Sequence, residues 1–176
     1  MRLRSALVPV LAAGALASAP SVSAAAGAAP AADARRTGVC REKDLDVRAA
    51  PGGRRNVARL SVANHGGRAC AVDRIPTVTF RGLDGSAQPV PPADSGPYVI
   101  ARGGTAYAAV RTADPRAVEG HVVRSLSVAA DPSHVGVTFS ASSVGMPGGV
   151  HVWEPLTTLW HESRAAADRA LADATR

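Results

Sequence analysis

Three side chains in the second half of the sequence are of types that could ligate a soft metal ion. His134, Met146 and His151 fall within 18 residues, and imidazole and thioether groups are ligands that copper accepts. None of the histidine pairs shows the short spacing that is typical of a metal-binding motif. We therefore expect scattered surface histidines with no bound cofactor, and keep an exported copper-binding module as the alternative function.

Arginine carries almost all of the positive charge. The chain has 20 Lys+Arg against 14 Asp+Glu, and Lys43 is its single lysine. Guanidinium groups make bidentate contacts to phosphate and carboxylate. Residues 41–81 hold nine basic and four acidic residues, whereas residues 82–163 hold four basic and seven acidic ones. We take six arginines of the basic segment as candidate contacts to an anionic partner: Arg41, Arg54, Arg55, Arg59, Arg68 and Arg74.

Catalytic motifs are missing from the sequence. It contains no Gly-x-Ser-x-Gly elbow, no His-Glu-x-x-His pair and no Gly-x-x-x-x-Gly-Lys phosphate loop. We expect no catalytic residues and no enzyme activity. Nucleic acid is also not an expected partner, because the basic residues lack interleaved aromatic side chains for base stacking.

The first 24 residues predict a secretory signal peptide. Arg2 and Arg4 precede a run of small apolar residues, and Val22-Ser23-Ala24 fits the small-x-small cleavage rule, so cleavage is expected near Ala24. A membrane anchor is the alternative, but the run is shorter than the ~20 residues of a spanning helix. Residues 25–39 form an Ala- and Pro-rich lead. We expect a secreted or cell-wall-associated chain without a transmembrane segment after cleavage.

Export changes the expected chemistry of the two cysteines. Cys40 and Cys70 are the only pair, and an oxidising compartment favours a disulfide. Two free thiols with a redox role are the alternative, although no Cys-x-x-Cys spacing supports it. Within the envelope, the partner of the basic segment would be an anionic cell-wall polymer or an envelope protein. A merely solvated cationic face is the competing interpretation.

The elements that must position these side chains are strands. Alternation of apolar and polar residues is typical of strands with one buried face and one face in solvent. Seven stretches show it: 45–49, 58–62, 77–81, 105–111, 125–128, 135–139 and 150–152. Turns rich in glycine and proline separate them. The sequence therefore predicts an all-β fold, an antiparallel immunoglobulin-like β-sandwich of about seven strands over residues 40–155.

Two regions depart from this pattern. Residues 82–97 contain four prolines and predict a long surface loop or an irregular sheet edge. Residues 156–176 predict a short helix or a frayed tail. One helical stripe would hold Leu156, Leu159, Trp160, Ser163, Ala167 and Leu171. Arg164 with Asp168 would form an i,i+4 pair on this helix.

Several motifs resemble a family of actinobacterial exported proteins, the domain of unknown function 4232. The opening Cys40-Arg41-Glu42-Lys43-Asp44-Leu45 resembles its Cys-x-x-x-x-Leu start. The stronger similarity is at 60–72, where a strand ends in Asn64, a small turn follows, and Cys70 comes next. Gly103-Gly104-Thr105-Ala106 is similar to the family's glycine turn before an Ala-rich strand. The similarity covers residues 40–155.

This resemblance implies a secreted or surface-tethered β-sandwich and implies no reaction. Many members carry a second cysteine pair in the later half, which this chain lacks. That departure implies that Cys40 bonds to Cys70 within the chain. Independently of the family, Asn64 followed by Gly66-Gly67 predicts a tight structural turn, because Asn tolerates the left-handed region and bonds its own backbone. We do not expect Asn64 to be catalytic.

Overall fold

The computed structural model describes residues 37–176. The predicted signal peptide and residues 25–36 of the predicted lead lie outside this range. Within it the chain forms twelve β-strands, two short 3₁₀ turns and one α-helix. None of these residues belongs to a helix with the length and hydropathy needed to span a bilayer.

The strands are short and evenly distributed along the chain. They are β1 Leu45–Pro51, β2 Val57–Asn64, β3 Cys70–Asp73, β4 Thr77–Phe80, β5 Gln88–Val90, β6 Pro97–Ile100, β7 Thr105–Arg111, β8 His121–Val123, β9 Ser125–Ala129, β10 Val137–Ser140, β11 Val150–Val152 and β12 Leu156–Thr158. The 3₁₀ turns are Glu42–Asp44 and Ser142–Val144, and the helix α1 is Arg164–Ala174.

These strands form four sheets. The largest has the order β1-β2-β7-β12-β5, a second has the order β10-β9-β4, and β11-β8 and β3-β6 form two-stranded ribbons. All pairings between these strands are antiparallel except that between β12 and β5. The predicted all-β sandwich is confirmed.

Alternation along β2 and β7 sorts their side chains between two environments. Ala58, Leu60 and Val62 of β2 belong to the main core, together with Ala106, Ala108 and Val110 of β7. The core also includes side chains of the second sheet: Val78, Phe80, Leu126 and Val128. The intervening residues of β2 and β7 therefore face away from this core. This outer face carries Arg59 and Arg111.

The disulfide and Asn64 fasten one end of the sandwich. Cys40 and Cys70 are bonded, with Cα atoms 4.9 Å apart, so the predicted disulfide is confirmed. Asn64 is fully buried, and its side-chain amide donates to the carbonyl oxygens of Arg68, Ile100 and Ala101 at 2.9–3.2 Å. Its Oδ1 accepts from the Gly66 N–H at 2.8 Å. The Asn64 side chain therefore holds the turn that leads to Cys70 in place through four hydrogen bonds.

The seven predicted stretches each contain a strand, but two details of the prediction are wrong. The alternation at 135–139 predicted buried valines, yet Val135 is 92% and Val137 is 41% exposed. Val135 lies before β10 and Val137 is the first residue of β10, which is the edge of its sheet and pairs only with β9. Fewer neighbouring elements cover an edge strand than a central one, which leaves these valines in solvent.

The predicted helical stripe from Leu156 to Ser163 is also wrong. Residues 156–158 form β12, which pairs with both β7 and β5, so the sheet continues past residue 155. The helix begins only at Arg164, where the Ser163 hydroxyl accepts from the Ala166 N–H at 3.2 Å. A hydroxyl at this position satisfies one of the free N–H groups of the first turn.

Helix α1 packs on the outer face of the large sheet. Ala167 and Leu171 are its buried residues, and they form a satellite cluster with Val57 and Ala109. Val90 and Tyr107 pack at the margin of this cluster. Because an isolated 11-residue helix is marginal in water, this contact with the sheet is what holds α1 in place.

Candidate functional site: an arginine groove

The six candidate arginines divide among three parts of the molecule. Arg54, Arg55 and Arg59 line one groove beside α1. Arg41 and Arg68 line a different depression near the disulfide, and there Arg41 Nε donates to Asp44 at 2.7 Å. The Arg74 guanidinium lies against Gly96 on another side of β3. Only half of the predicted set is therefore brought together.

The groove beside α1, here called the arginine groove, has a volume of about 570 Å³. Its charged lining consists of six arginines and two aspartates: Arg54, Arg55, Arg59, Arg111, Arg116, Arg176, Asp114 and Asp168. Val57 and Leu171 supply an apolar part of the wall. The lining thus carries an excess of positive charge in a concave site of the size that small organic ligands occupy.

A tight turn between β1 and β2 presents Arg54 and Arg55. The Gly52 N–H donates to the carbonyl oxygen of Val57 at 2.9 Å, and a Cβ at Gly52 would lie 2.7 Å from that oxygen. Asn56 adopts a left-handed φ of 59°, a conformation that asparagine accepts more readily than most residues. The turn places both guanidinium groups in solvent at the mouth of the groove.

The pairing of β2 with β7 places Arg59 and Arg111 on the same floor. Arg59 is opposite Ala109, and Arg111 is opposite Val57. Ala50 of β1 is the other neighbour of Arg59. Because both flanking residues are alanines, α1 can approach the sheet closely beside the Arg59 side chain.

Helix α1 supplies the carboxylate that meets Arg59. Arg59 Nε donates to both oxygens of Asp168 at 3.0 and 3.1 Å, and Nη2 donates to Oδ2 at 2.9 Å. The expected i,i+4 pair of Arg164 with Asp168 is replaced by this contact. Arg164 instead lies over the Tyr107 ring, with its Cζ 5.6 Å from the ring centroid. The groove therefore already binds one carboxylate in a bidentate arrangement.

Arg111 is the most buried arginine for which an ion pair is observed. Its side chain is 16% exposed, and Nη1 lies 3.4 Å from Oδ2 of Asp114. The Nε of Arg111 is buried and donates to no described residue. Asp114 also accepts from the Arg116 N–H at 2.8 Å, which fixes the loop that carries Arg116 beside the groove. No described residue forms an ion pair with Arg54, Arg55 or Arg116.

The predicted metal ligands are engaged elsewhere. His134 Nε2 is 3.0 Å from the Cys40 carbonyl oxygen, and His151 Nε2 is 2.9 Å from that of Glu119. Met146 is buried in the main core. Among residues 37–176 there is no group of three His, Cys, Asp or Glu side chains arranged to hold a metal ion. The copper alternative stays a prediction without a supporting contact.

Three groove arginines escaped the sequence prediction. Arg111 and Arg116 come from the acidic segment 82–163, and Arg176 comes from the C-terminal segment. A signal for Arg111 did exist, since it follows Ala106, Ala108 and Val110 on the opposite parity of β7 and must face outward. The net charge of residues 82–163 did not indicate Arg111, because that segment is acidic as a whole.

The family model for a domain of unknown function, DUF4232, matches residues 40–158, more than half of the chain. The chain belongs to the DUF4232 family. A search of the curated proteins found no match. A search of the solved structures also found none. The DUF4232 match includes both cysteines, Asn64 and five of the six groove arginines, and it ends before α1. The helical wall of the groove thus lies outside the matched residues.

Proposed function

We propose that this DUF4232 protein is an exported, non-enzymatic module that binds an anionic cell-wall polymer or an anionic envelope protein through the arginine groove. The single observation that carries the proposal is the convergence of six arginines from three separate stretches of the chain on one concave site. Such a cluster attracts anions over roughly a Debye length and holds them by bidentate hydrogen bonds.

Export is supported by the N-terminal sequence and by the disulfide. The charged start, apolar run and Val22-Ser23-Ala24 fit a cleaved signal. A Cys40–Cys70 disulfide is typical of proteins that leave the cytosol. The anionic polymers of the cell wall would then be the abundant ligands in the compartment of the mature chain.

The experiment is co-sedimentation of the exported chain with isolated actinobacterial cell walls. Cells expressing the full sequence provide the protein from their medium, and its N-terminus is determined to test cleavage near Ala24. We expect retention at low ionic strength and release as salt increases, because exposed charge pairs are screened within ~10 Å at 0.1 M salt.

A charge-matched pair of triple variants tests whether the groove is responsible. The first changes Arg54, Arg55 and Arg116 to Gln, which removes the three unpaired groove arginines. The control changes three exposed arginines outside the groove lining to Gln: Arg81, Arg102 and Arg124. We expect loss of retention in the first variant and near wild-type retention in the control.

Three results would overturn the proposal. Equal loss in both triple variants would mean that net charge, rather than the groove, drives retention. Absence of any binding to walls at low ionic strength would remove the polymer as the ligand. A full-length chain that stays inside the cell would contradict export.

A further inference from the structure

Arg111 is distinguished from the other groove arginines by its burial in the groove lining. Its side chain is 16% exposed, and its ion pair among the described residues is with Asp114. The Nε atom is closed to solvent and therefore also to a ligand in the groove. The Nη groups are the part of the guanidinium that can bind such a ligand.

The hydrogen bond between Arg111 and Asp114 is weak. The distance of 3.4 Å between Nη1 and Oδ2 is longer than the ~2.7–2.9 Å of a strong charge-assisted hydrogen bond. The Asp114 side chain is 48% exposed, and its other oxygen is committed to the Arg116 N–H. Arg111 therefore retains capacity for a second oxyanion.

Asp168 demonstrates the kind of group that this groove accepts. Its carboxylate is held by Arg59 through three contacts of 2.9–3.1 Å on the same outer face that carries Arg111. The carboxylate comes from α1, which is attached to the sheet mainly through Ala167 and Leu171. A ligand oxyanion and Asp168 are therefore alternative partners of the Arg59 guanidinium.

We propose that the arginine groove is a specific site for a terminal oxyanion, a phosphate monoester or a carboxylate, in which Arg111 is the determining contact and Asp168 is an intramolecular competitor. This inference rests on the proposed function, since it names the chemical group by which the anionic partner is recognised. The groove volume of about 570 Å³ leaves room for an organic body attached to that group.

The test is isothermal titration calorimetry of the exported chain with inorganic phosphate and, separately, with acetate. The ionic strength is held constant with chloride in both titrations. Saturable binding of phosphate alone identifies the phosphate monoester as the source, and binding of acetate alone identifies the carboxylate. Arg111→Lys keeps the charge but replaces the paired Nη donors of the guanidinium by a single ammonium group. We expect it to weaken binding by roughly tenfold, the effect of losing a hydrogen bond to a charged group. Arg102→Lys is the matched control, because Arg102 is exposed and outside the groove.

Asp168→Asn tests the competition. Removing its charge frees Arg59 and should tighten binding by about two- to fivefold, the range expected for one partly exposed ion pair. Asp84→Asn, an exposed acid outside the groove lining, is the control and should leave the affinity unchanged. Hydrogen exchange of α1 is measured in parallel, so that a loosened helix is recognised.

Arg116→Gln, in an exposed loop, provides a second groove variant that does not alter a strand.

The outcomes separate this inference from the proposed function. Weaker binding in Arg111→Lys with tighter binding in Asp168→Asn supports it. Equal affinities in Arg111→Lys, Arg116→Gln and wild type overturn it, as does weaker binding in Asp168→Asn with α1 still protected. If cell walls retain the chain but neither phosphate nor acetate saturates, the inference fails while the proposed function stands. If walls do not retain it either, both fail.

Discussion

Replacing Asn64 by Asp should severely destabilise the sandwich although the two side chains have nearly the same shape. The Asn64 amide donates to the carbonyl oxygens of Arg68, Ile100 and Ala101, and the residue is fully buried. The substitution exchanges the NH2 group for an oxygen that faces these acceptors. The two N–H donors are lost. The new carboxylate oxygen, itself an acceptor, then faces the three carbonyl oxygens in a site that water does not reach.

The magnitude follows from the number of groups left unpaired. Each lost hydrogen bond costs about 0.5–1.5 kcal/mol, and leaving its buried partner unsatisfied brings this to about 1–3 kcal/mol. Two donors therefore amount to a loss of roughly 2–6 kcal/mol in the free energy of unfolding. For a domain of this size, about 3 °C per kcal/mol translates that into a melting temperature lower by roughly 6–18 °C.

The assay is urea unfolding and thermal melting of wild type, Asn64→Asp and Asn56→Asp. Asn56 is the only other asparagine, and its side chain makes no hydrogen bond to a described residue, so it serves as the matched control. The deficit of Asn64→Asp should shrink at acidic pH. Burial raises the pKa of the new carboxyl, and its protonated form recovers one donor, so stability lost at neutral pH returns as the pH falls.

A loss below about 1 kcal/mol in Asn64→Asp would refute this reasoning, because it would mean that solvent or a rearranged turn satisfies the three carbonyl oxygens. An equal loss in Asn56→Asp would also refute it. In that case the chemical change, rather than the buried hydrogen bonds, would be responsible.

Three further predictions concern other contacts that stabilise the fold. Replacing both Cys40 and Cys70 by Ala should reduce the free energy of unfolding by ~3–4 kcal/mol in urea titrations, the loop entropy of a 30-residue separation. Hydrogen bonds from the Gly136 and Val135 N–H groups lower the pKa of Glu42. The ionised Glu42 therefore stabilises the fold above about pH 4–5, and this contribution is lost as the pH falls through the lowered pKa. Glu42→Gln should have a lower melting temperature than wild type at pH 7 and the same melting temperature in acid. Leu171→Ala should remove about 2 kcal/mol of packing from the satellite cluster, and faster hydrogen exchange confined to α1 would verify that the helix is held by this contact.

Histidine adds to the expected loss of stability in acid. Desolvation, followed by the charge of Arg169, lowers the pKa of His161 below its usual value near 6.5. The folded state therefore binds fewer protons than the unfolded state as the pH drops below about 6.5, and stability decreases there. Together with the carboxylates, this predicts a melting temperature that falls in two stages on acidification.

Fold class was accessible from the sequence because alternation is a local property. Residues 58–62 and 105–111 alternate so regularly that one face of each strand must be buried, and glycine turns separate the strands. The short strands β5 and β12 carry no such pattern. They are strands because each completes backbone hydrogen bonds with a neighbour that is distant in sequence.

The arginine groove shows the limit of the same reasoning. Residue types identified Arg54, Arg55 and Arg59 as candidates, whereas Arg111 was not among them. The position of Arg59 beside Arg111 depends on the register of β2 with β7, and the contact of Asp168 with Arg59 depends on where α1 docks.

Local sequence therefore specified the disulfide partners, the alternating strands and the tight turn at Asn64, since each depends on neighbouring residues or on the only available pair. Strand order, the docking of α1 and the gathering of six arginines depend on contacts between segments separated by up to 122 residues, as between Arg54 and Arg176. Charge counted along the chain could not reveal them, because folding brings arginines of the acidic segment to the same surface as those of the basic one.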